Sequence, residues 1–346
     1  MSVGGSDAIL CVPRSDVVAD REQMFDAGVS AAARERLDLL LKVAGMYYLE
    51  HASQDDLAKE IGYSRPTVSR LLAEARERRM VTVTVSHPLE QVLDLERRLT
   101  RRFGLTLAVV AGQAAGAPPL NVGRAAAQSV VDHGNARTLL ALSNGTSLAA
   151  VVAAMPQQRW PYSCVTQMIG SLGAPDRELV DSPDLCRRLA AKLGGTYRPM
   201  PVPIVLTSAA VARSVRHEEI VVSTFELAAR ADIALVGVGA VGPDGTSGAI
   251  LRHYITDSVR AEVRKGRAVA HICGHHFDAA GRHVRTSLCD RMICMDPERL
   301  ADTKLSLAVA WGHEKVPALH AVLKADLVSG LATDEATARE LLAYEP

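Results

Sequence analysis

The sequence predicts an α/β protein in which a small N-terminal winged helix-turn-helix unit precedes a larger, doubly wound and mostly parallel α/β domain. Three observations lead to this fold class. Residues 53–79 read as two capped helices joined by a tight turn. From residue 105 onward, short apolar strands alternate with helices, which is typical of a parallel sheet covered on both faces. The length of 346 residues also exceeds that of one typical domain.

Helix caps define the N-terminal unit. Ser53 can cap the first helix, with Asp56 three residues later in a capping-box-like pair. Gly62 stands where that helix must end in the left-handed conformation. Ser64 can cap the next helix, and Pro66 fits its first turn because the missing N–H would be unpaired there anyway. These signals predict two short helices separated by a tight turn.

The second helix separates apolar from polar side chains. Its apolar residues recur at i, i+3, i+4 and i+7 and predict a buried face: Val68, Leu71, Leu72 and Ala75. The opposite face offers hydrogen-bond donors in the first two turns, where a recognition helix meets the DNA major groove. An ordinary helical hairpin would bury the same face, but caps, turn and polarity together favour helix-turn-helix. The predicted DNA-binding residues are Ser64, Arg65, Pro66, Thr67, Ser69 and Arg70.

The flanking segments complete a predicted unit at residues 34–87. An apolar stripe before it should close a three-helix core: Leu37, Leu40, Leu41, Ala44 and Tyr48. Residues 81–86 alternate Val with Thr or Ser, which predicts a half-buried strand at the position of a wing. Residues 1–33 are predicted to be a loose N-terminal tail.

The charge pattern suits a local nucleic-acid contact. The chain carries 39 basic and 39 acidic residues, so its formal net charge is zero. Residues 64–79 contain five arginines and two glutamates, a surplus of three that phosphates could use. A solvated helix face would explain Arg76, Arg78 and Arg79 equally well.

Composition points to the cytoplasm. No apolar run reaches the ~20 residues of a membrane span, and the first thirty residues do not read as a secretory leader. The six cysteines are scattered without a C-x-x-C pair, which is typical of reduced thiols in an intracellular protein. Cys273, His275, His276 and Asp278 bunch together, but their spacing is not that of a metal site. We therefore expect no metal, no cofactor and no membrane partner.

Residues 88–104 predict a connector helix. Leu89, Val92, Leu95, Leu99 and Phe103 fall at helical spacing among charged residues. Such a helix either covers the next domain or pairs between subunits, and the sequence leaves both alternatives open.

The second domain, residues 105–346, should hold the ligand site. Strands are predicted at residues 105–111, 138–142, 164–169, 233–238, 268–272 and 305–310. Ligands of doubly wound sheets bind beyond the carboxyl ends of the strands. Three loops at such ends are candidates: residues 143–147, 237–242 and 311–315.

The loop at Asn144, Gly145, Thr146 and Ser147 has the strongest chemistry. It follows a strand and opens a helix, so backbone N–H groups and hydroxyls could hold an anion there. Capping alone would also explain these residues. The GVGAVG run containing Gly237 and Gly239 does not space as a dinucleotide motif.

Several stretches closely resemble, in order and spacing, the SorC family of bacterial sugar-responsive transcription regulators. They are SRPTVSRLL at residues 64–72, NVGRAAAQSV at 121–130, LSNGTSLAAV at 142–151, ADIALVGVGAVG at 231–242, HHFDAAGRHV at 275–284 and the segment at 308–342. The resemblance implies an operator-binding domain and a C-terminal domain that binds a sugar-type effector. It also implies a homo-oligomer, dimer or tetramer.

The resemblance assigns further effector residues and shows departures. The 143–147 loop resembles a W-G-x-T segment that receives a phosphate, and Lys315 matches the lysine of a G-G-x-x-K segment. Asn144 and Trp311 depart from those patterns, and His271 stands where family members often carry a carboxylate. Gly170, Gly237 and Gly239 complete the predicted set.

The effector class therefore stays open among a sugar phosphate, a polyol and a polyol phosphate. The family's effector domain is similar to sugar-phosphate isomerases and deaminases, but no paired carboxylates lie near the three loops. We expect a regulator rather than an enzyme. A DNA-binding protein without a ligand is the remaining alternative.

Overall fold

The computed structural model describes residues 30–81, 88–112, 117–173, 181–242 and 254–346. The chain divides into two compact units, residues 1–85 and 86–346. The tail at residues 1–29 and, apart from Val81, the predicted wing strand lie outside the described residues.

Three helices form the N-terminal unit: α1 (Ala31–Tyr48), α2 (Gln54–Ile61) and α3 (Arg65–Glu77). Their common core is Leu40, Val43, Ala44, Met46, Leu57, Val68, Leu71, Leu72 and Ala75. The four predicted apolar residues of α3 are all buried, because this face meets α1 and α2.

Two predictions about α1 are wrong. Leu37 and Leu41 are 39% and 49% exposed. Val43 and Met46 are buried instead, because the face toward α3 is rotated from the predicted stripe. Residues 31–33, predicted to belong to the tail, form the first turn of α1, since the Ser30 side chain accepts a hydrogen bond from the Ala33 N–H at 3.3 Å.

The connector helix α4 (Pro88–Phe103) belongs to the second unit. Leu95 and Leu99 are buried in its core. Glu96 Oε1 accepts a hydrogen bond from the Val110 N–H at 2.9 Å. Arg102 donates to the Tyr344 carbonyl at 2.7 Å. The structure therefore shows that this segment covers the second unit; pairing between subunits stays a prediction.

The described residues of the second unit contain ten strands: β1 (Leu107–Ala111), β2 (Leu139–Leu142), β3 (Cys164–Gln167), β4 (Thr196–Arg198), β5 (Ile233–Ala240), β6 (Ala268–Ile272), β7 (His275–Asp278), β8 (His283–Val284), β9 (Leu305–Val309) and β10 (Gly330–Asp334). Seven of them pair in parallel in the order β1-β10-β9-β5-β2-β3-β4. Apolar cores on both faces of this sheet confirm the doubly wound α/β class.

Where the structure describes this unit, eight α-helices besides α4 accompany the sheet: α5 (Pro118–His133), α6 (Thr146–Ala154), α7 (Ser182–Leu193), α8 (Ala209–Arg216), α9 (Glu219–Ala229), α10 (Asp257–Lys265), α11 (Val316–Lys324) and α12 (Glu335–Ala343). None of the helices in the described part of the chain is both long and apolar enough to span a bilayer.

The predicted strand at residues 268–272 forms, but it does not join the parallel sheet. β5 extends beyond the ends of its parallel neighbours, and its last residues pair with β6 in the antiparallel direction. β6 continues antiparallel into β7, and β7 into β8. The result is a small antiparallel extension at the carboxyl end of β5, which carries His271.

Candidate functional site

The helix-turn-helix has the predicted caps at its first helix. Ser53 Oγ accepts a hydrogen bond from the Asp56 N–H at 3.2 Å. Gly62 has φ +71°, a left-handed conformation that favours glycine. At Ser64 the backbone is extended as a cap requires, but the hydroxyl bonds the Thr67 hydroxyl at 2.9 Å instead of a backbone N–H. Ser64 nevertheless occupies the predicted N-cap position, where its carbonyl accepts hydrogen bonds from the Thr67 and Val68 N–H groups at 2.8 and 3.0 Å.

The exposed face of α3 presents two arginines. Arg65 and Arg70 are both exposed, as is Ser69, whereas Thr67 is half-buried. Arg65 pairs with Asp55 of α2 at 3.3 Å, and Arg70 Nε approaches the Pro66 carbonyl at 3.4 Å. Exposed pairs of this kind are weak, so both guanidinium groups can exchange these partners for phosphates or bases.

Glu74 neutralises part of the positive charge of the N-terminal unit. It contacts Arg36 by hydrogen bond and Arg78 at 2.7 Å. The hydrogen bond from Arg36 is the largest influence on its carboxyl group, whose pKa is held below the ordinary value. Arg78 therefore has a partner in α3 itself, at a shorter distance than the 3.3 Å between Arg65 and Asp55.

The three predicted ligand loops meet at one edge of the parallel sheet. The predicted loops at residues 143–147 and 311–315 follow β2 and β9, which flank β5 in the order β9-β5-β2. The prediction of a loop at residues 237–242 is wrong for residues 237–240, because they belong to β5 and pair there with β9 and β6. From β2 the chain proceeds outward through β3 and β4, and from β5 it proceeds the other way through β9 and β10. The boundary between β2 and β5 is therefore the topological switch point, where open α/β sheets form a crevice.

The loop after β2 places a helix N-terminus at this crevice. Gly145, with φ +120°, precedes α6, and no side chain among the described residues caps the first turn of that helix. Thr146 is exposed and Ser147 is half-buried. Uncapped N–H groups and two hydroxyls make this turn suitable for an anion. Asn144 is only 6% exposed, and its Nδ2 has no hydrogen-bond partner within the described chain.

The loop after β2 contacts the carboxyl-terminal part of β5 directly. The Gly237 N–H donates to Ser143 Oγ at 3.3 Å. A Cβ on Gly237 would lie 3.4 Å from the Asn144 carbonyl oxygen, an ordinary contact. Ser143 lies in the predicted loop at residues 143–147 but was not named as an effector residue. Its position next to Asn144 in the sequence was the signal that could have identified it.

His271 lies across the end of β5. It pairs in register with Gly239, and a Cβ on Gly239 would lie 1.8 Å from His271 Cε1. Gly239 is therefore needed for close approach of the ring. Burial, then the charges of His276 and Lys315, lowers the pKa of His271 to about 3, so the imidazole is neutral at pH 7. Its Nδ1 finds no acceptor or donor within the described residues.

Lys315 approaches from the loop after β9. It ends a 3₁₀ helix (His313–Lys315) that leads into α11, and its N–H bonds the Gly312 carbonyl at 2.9 Å. Burial lowers the pKa of its ammonium group, against the opposing influence of Glu314. The charge of Lys315 contributes to the lowered pKa of His271, and the 3₁₀ helix that Lys315 ends follows β9, the neighbour of β5 in the sheet.

Known proteins match this combination of units. Residues 87–343 match the family described as "Putative sugar-binding domain". The erythritol catabolism regulatory protein EryD of Brucella abortus is 30% identical over 310 residues, covering 88% of this chain and 96% of that protein. This chain belongs to the SorC family of sugar-binding transcriptional regulators. The transcriptional regulator LsrR of Klebsiella pneumoniae is also 30% identical, over 325 residues, covering 92% of this chain and 95% of that protein.

A solved SorC-family structure has the same fold. The full-length sorbitol operon regulator SorC from Klebsiella pneumoniae superposes with a TM-score of 0.70 at 24% identity, covering 89% of this chain and 99% of that chain. This likeness supports the fold class and the arrangement of the sheet.

One predicted effector residue of this SorC-family chain has a packing role. A Cβ on Gly170 would lie 2.7 Å from the Pro203 backbone, and its N–H donates to the Ile293 carbonyl at 2.9 Å. The close backbone approach explains why glycine stands there without any ligand.

The bunched histidines divide between the two faces of β7. His276 points toward His271, with ring centroids 6.1 Å apart, whereas His275 contacts His283. Asp278 pairs with Arg282 at 2.8 Å. These residues and Cys273 therefore do not share one ligand-binding point. His276 was missed as a neighbour of the crevice, although strand alternation would have separated it from His275.

Proposed function

We propose that this protein binds operator DNA through α3 and that a small phosphorylated sugar or polyol controls that binding from the crevice of the C-terminal unit. One observation carries the effector assignment. Asn144 Nδ2 and His271 Nδ1 are buried without a hydrogen-bond partner in the described chain, in a crevice that Lys315 also approaches. An unsatisfied buried polar group costs ~1–3 kcal/mol, and ligand hydroxyls would remove that cost.

The polar groups suit two parts of one ligand. Neutral His271 offers one donor and one acceptor, and the Asn144 amide offers two donors and an acceptor. Both can bind hydroxyls. The uncapped turn at Gly145, Thr146 and Ser147 together with Lys315 suits a phosphate. The erythritol catabolism regulator among the relatives is consistent with a polyol-type effector.

Control of DNA binding requires that the effector prefers one conformational state. A ligand with equal affinity for two states shifts neither of them. We propose that the switching unit is a homo-oligomer, dimer or tetramer, because one helix-turn-helix reads too few base pairs for useful specificity. The relatives named above are regulators, and we propose no catalytic turnover.

Thermal melting with a panel of sugar phosphates, polyol phosphates and free polyols tests the effector class. A ligand that binds only the folded protein adds ~2.7 kcal/mol at a hundredfold excess over Kd, so the second unit should melt at higher temperature. Phosphorylated compounds should give the larger shift. A shift with free polyols alone would refute the phosphate assignment, and no shift with any compound would refute the sugar-type effector.

The Lys315→Ala variant tests the site. It should lose most of the melting shift and the effector's influence on operator binding, measured by fluorescence anisotropy. Lys324→Ala is the matched control, since Lys324 is an exposed lysine at the end of the adjoining helix α11. An unchanged effector response in Lys315→Ala, or equal losses in both variants, would place the phosphate elsewhere.

A further inference from the structure

A second group of polar side chains lies on the face of β7 that points away from the crevice. His275 Nδ1 and His283 Nε2 are 3.1 Å apart. Together with the Cys289 thiol, one ligand atom from each of the three residues lies within 4.8 Å of the others. Cys289 is buried, and both histidines are half-buried. The functional site described above uses none of these three side chains.

The local fold holds the three side chains in place. His283 pairs in register with Phe277 across the β7–β8 hairpin, and the Phe277 ring stacks on it with centroids 5.4 Å apart. Asp278 accepts hydrogen bonds from the Ala280 and Arg282 N–H groups at 3.0 and 2.9 Å, which closes the hairpin turn.

Cys289 is fixed from the other side. Its carbonyl accepts a hydrogen bond from Arg216 of α8 at 2.9 Å. The Thr286 N–H and hydroxyl lie 3.5 and 3.6 Å from its sulfur. The three ligand atoms are thus held within 4.8 Å of one another, and little ordering would be needed to complete a coordination sphere.

We propose that His275, His283 and Cys289 bind a divalent transition-metal ion, with Zn²⁺ as the best fit. Imidazole nitrogen and thiolate sulfur are the ligands that zinc prefers. At tetrahedral zinc, with bonds of about 2.0–2.3 Å, neighbouring ligand atoms are roughly 3.3–3.6 Å apart. The observed separations reach that geometry with movements of about 1 Å.

Cys294 has a different role in this site. Its sulfur lies 3.1 Å from His275 Nε2, whereas Nδ1 of the same ring faces His283. The two ring nitrogens point in different directions, so an ion at Nδ1 is out of reach of Cys294. Cys294 instead accepts a hydrogen bond from the Nε2–H group and so orients the ring, as partners of metal-binding histidines commonly do. Three protein ligands leave a fourth position for water.

The ion would stabilise a part of the second unit that also borders the effector crevice. Cys294 pairs with Ile169 beyond the end of β3. On the opposite face of β7, the His276 ring lies 6.1 Å from that of His271. Metal binding should therefore raise the melting temperature of the second unit, because binding to the folded state alone stabilises it.

Cobalt(II) titration of the reduced, chelator-treated full-length protein tests the proposal. One equivalent should bind with the visible bands of tetrahedral cobalt and a thiolate charge-transfer band, and Zn²⁺ should displace it. Cys289→Ser should lose the charge-transfer band. Cys164→Ser, which changes a half-buried cysteine of β3 outside the cluster, should keep it.

Cys294→Ser separates ligation from orientation. This variant should retain the charge-transfer band and bind cobalt about 10–100-fold more weakly. His283→Gln serves if Cys289→Ser fails to fold, and it should lose stoichiometric binding. Absence of one-to-one cobalt binding in the wild-type protein would overturn the proposal, as would wild-type spectra in whichever of Cys289→Ser and His283→Gln folds.

Discussion

Replacing Gly239 by alanine should damage the effector crevice through His271. The added Cβ would lie 1.8 Å from His271 Cε1 and 2.3 Å from each ring nitrogen. Ordinary contacts begin near 3.4 Å, so the ring must move by more than 1 Å or the β5–β6 pairing must open. Overpacking of this kind typically costs ~1–3 kcal/mol. We expect the second unit to lose that amount of stability in Gly239→Ala.

Gly237→Ala is the matched control for stability. Gly237 lies two residues earlier on the same strand face, and its added Cβ would meet the Asn144 carbonyl oxygen at 3.4 Å. Urea denaturation followed by circular dichroism measures both variants, with the midpoint and the slope compared against wild type. Gly237→Ala should stay within ~0.5 kcal/mol of wild type.

Effector binding provides the second readout for Gly239→Ala. Displacement of His271 should lower the affinity for the ligand that produces the melting shift. Operator binding through α3 without effector should persist at temperatures where the second unit stays folded. Equal stability of Gly237→Ala and Gly239→Ala would show that the imidazole does not lie on Gly239. An unchanged effector affinity in a destabilised Gly239→Ala would remove His271 from the proposed binding residues.

Three further predictions concern DNA, acid stability and assembly. If Arg65 or Arg70 reads a base, its replacement by alanine should cost ~1–3 kcal/mol of operator binding and relax the sequence preference at one base pair. If it binds phosphate, the replacement should weaken binding to all sequences and flatten the salt dependence. Normal operator binding by both variants would refute α3 as the recognition helix. The pKa of His271 in the folded state, about 3, lies below the ordinary histidine value of 6.5, so the unfolded state binds more protons between these values. Stability should therefore fall with acidification through this range, by at most ~1.4 kcal/mol per pH unit, and urea denaturation of His271→Gln should show a flatter dependence. Sedimentation at micromolar concentration should show a dimer or tetramer, with operator half-sites ~34–36 Å apart or a multiple of this; monomers with and without DNA would contradict the proposed assembly.

Local signals carried the prediction of the N-terminal unit. Caps, the glycine turn and helical spacing act within a few residues, so Ser53, Gly62 and the buried face of α3 follow from neighbouring sequence alone. The stripe on α1 was harder, because its apolar residues extend around more of the helix. Which of them becomes buried depends on the angle at which α2 and α3 pack, and Leu37 and Leu41 are exposed as a result.

The parallel strands were predictable where they are continuous apolar runs. β10 was missed because glycine, threonine and aspartate interrupt its sequence, although Gly330–Asp334 pairs with both β1 and β9. β7 was missed because HHFD reads as polar. Burial of these residues comes from partners that are distant in the chain, which no local pattern contains.

The sequence by itself determined the fold class, the family and the three loops that carry the candidate effector residues. Only the tertiary structure decided which side chains meet. Strand pairing brings His271 onto Gly239 across 32 residues of chain, and a hairpin brings His283 to His275. Both meetings depend on the antiparallel extension beyond β5. The register of this extension is set by hydrogen bonding and burial across the whole unit. The spacing of the residues along the chain does not determine it.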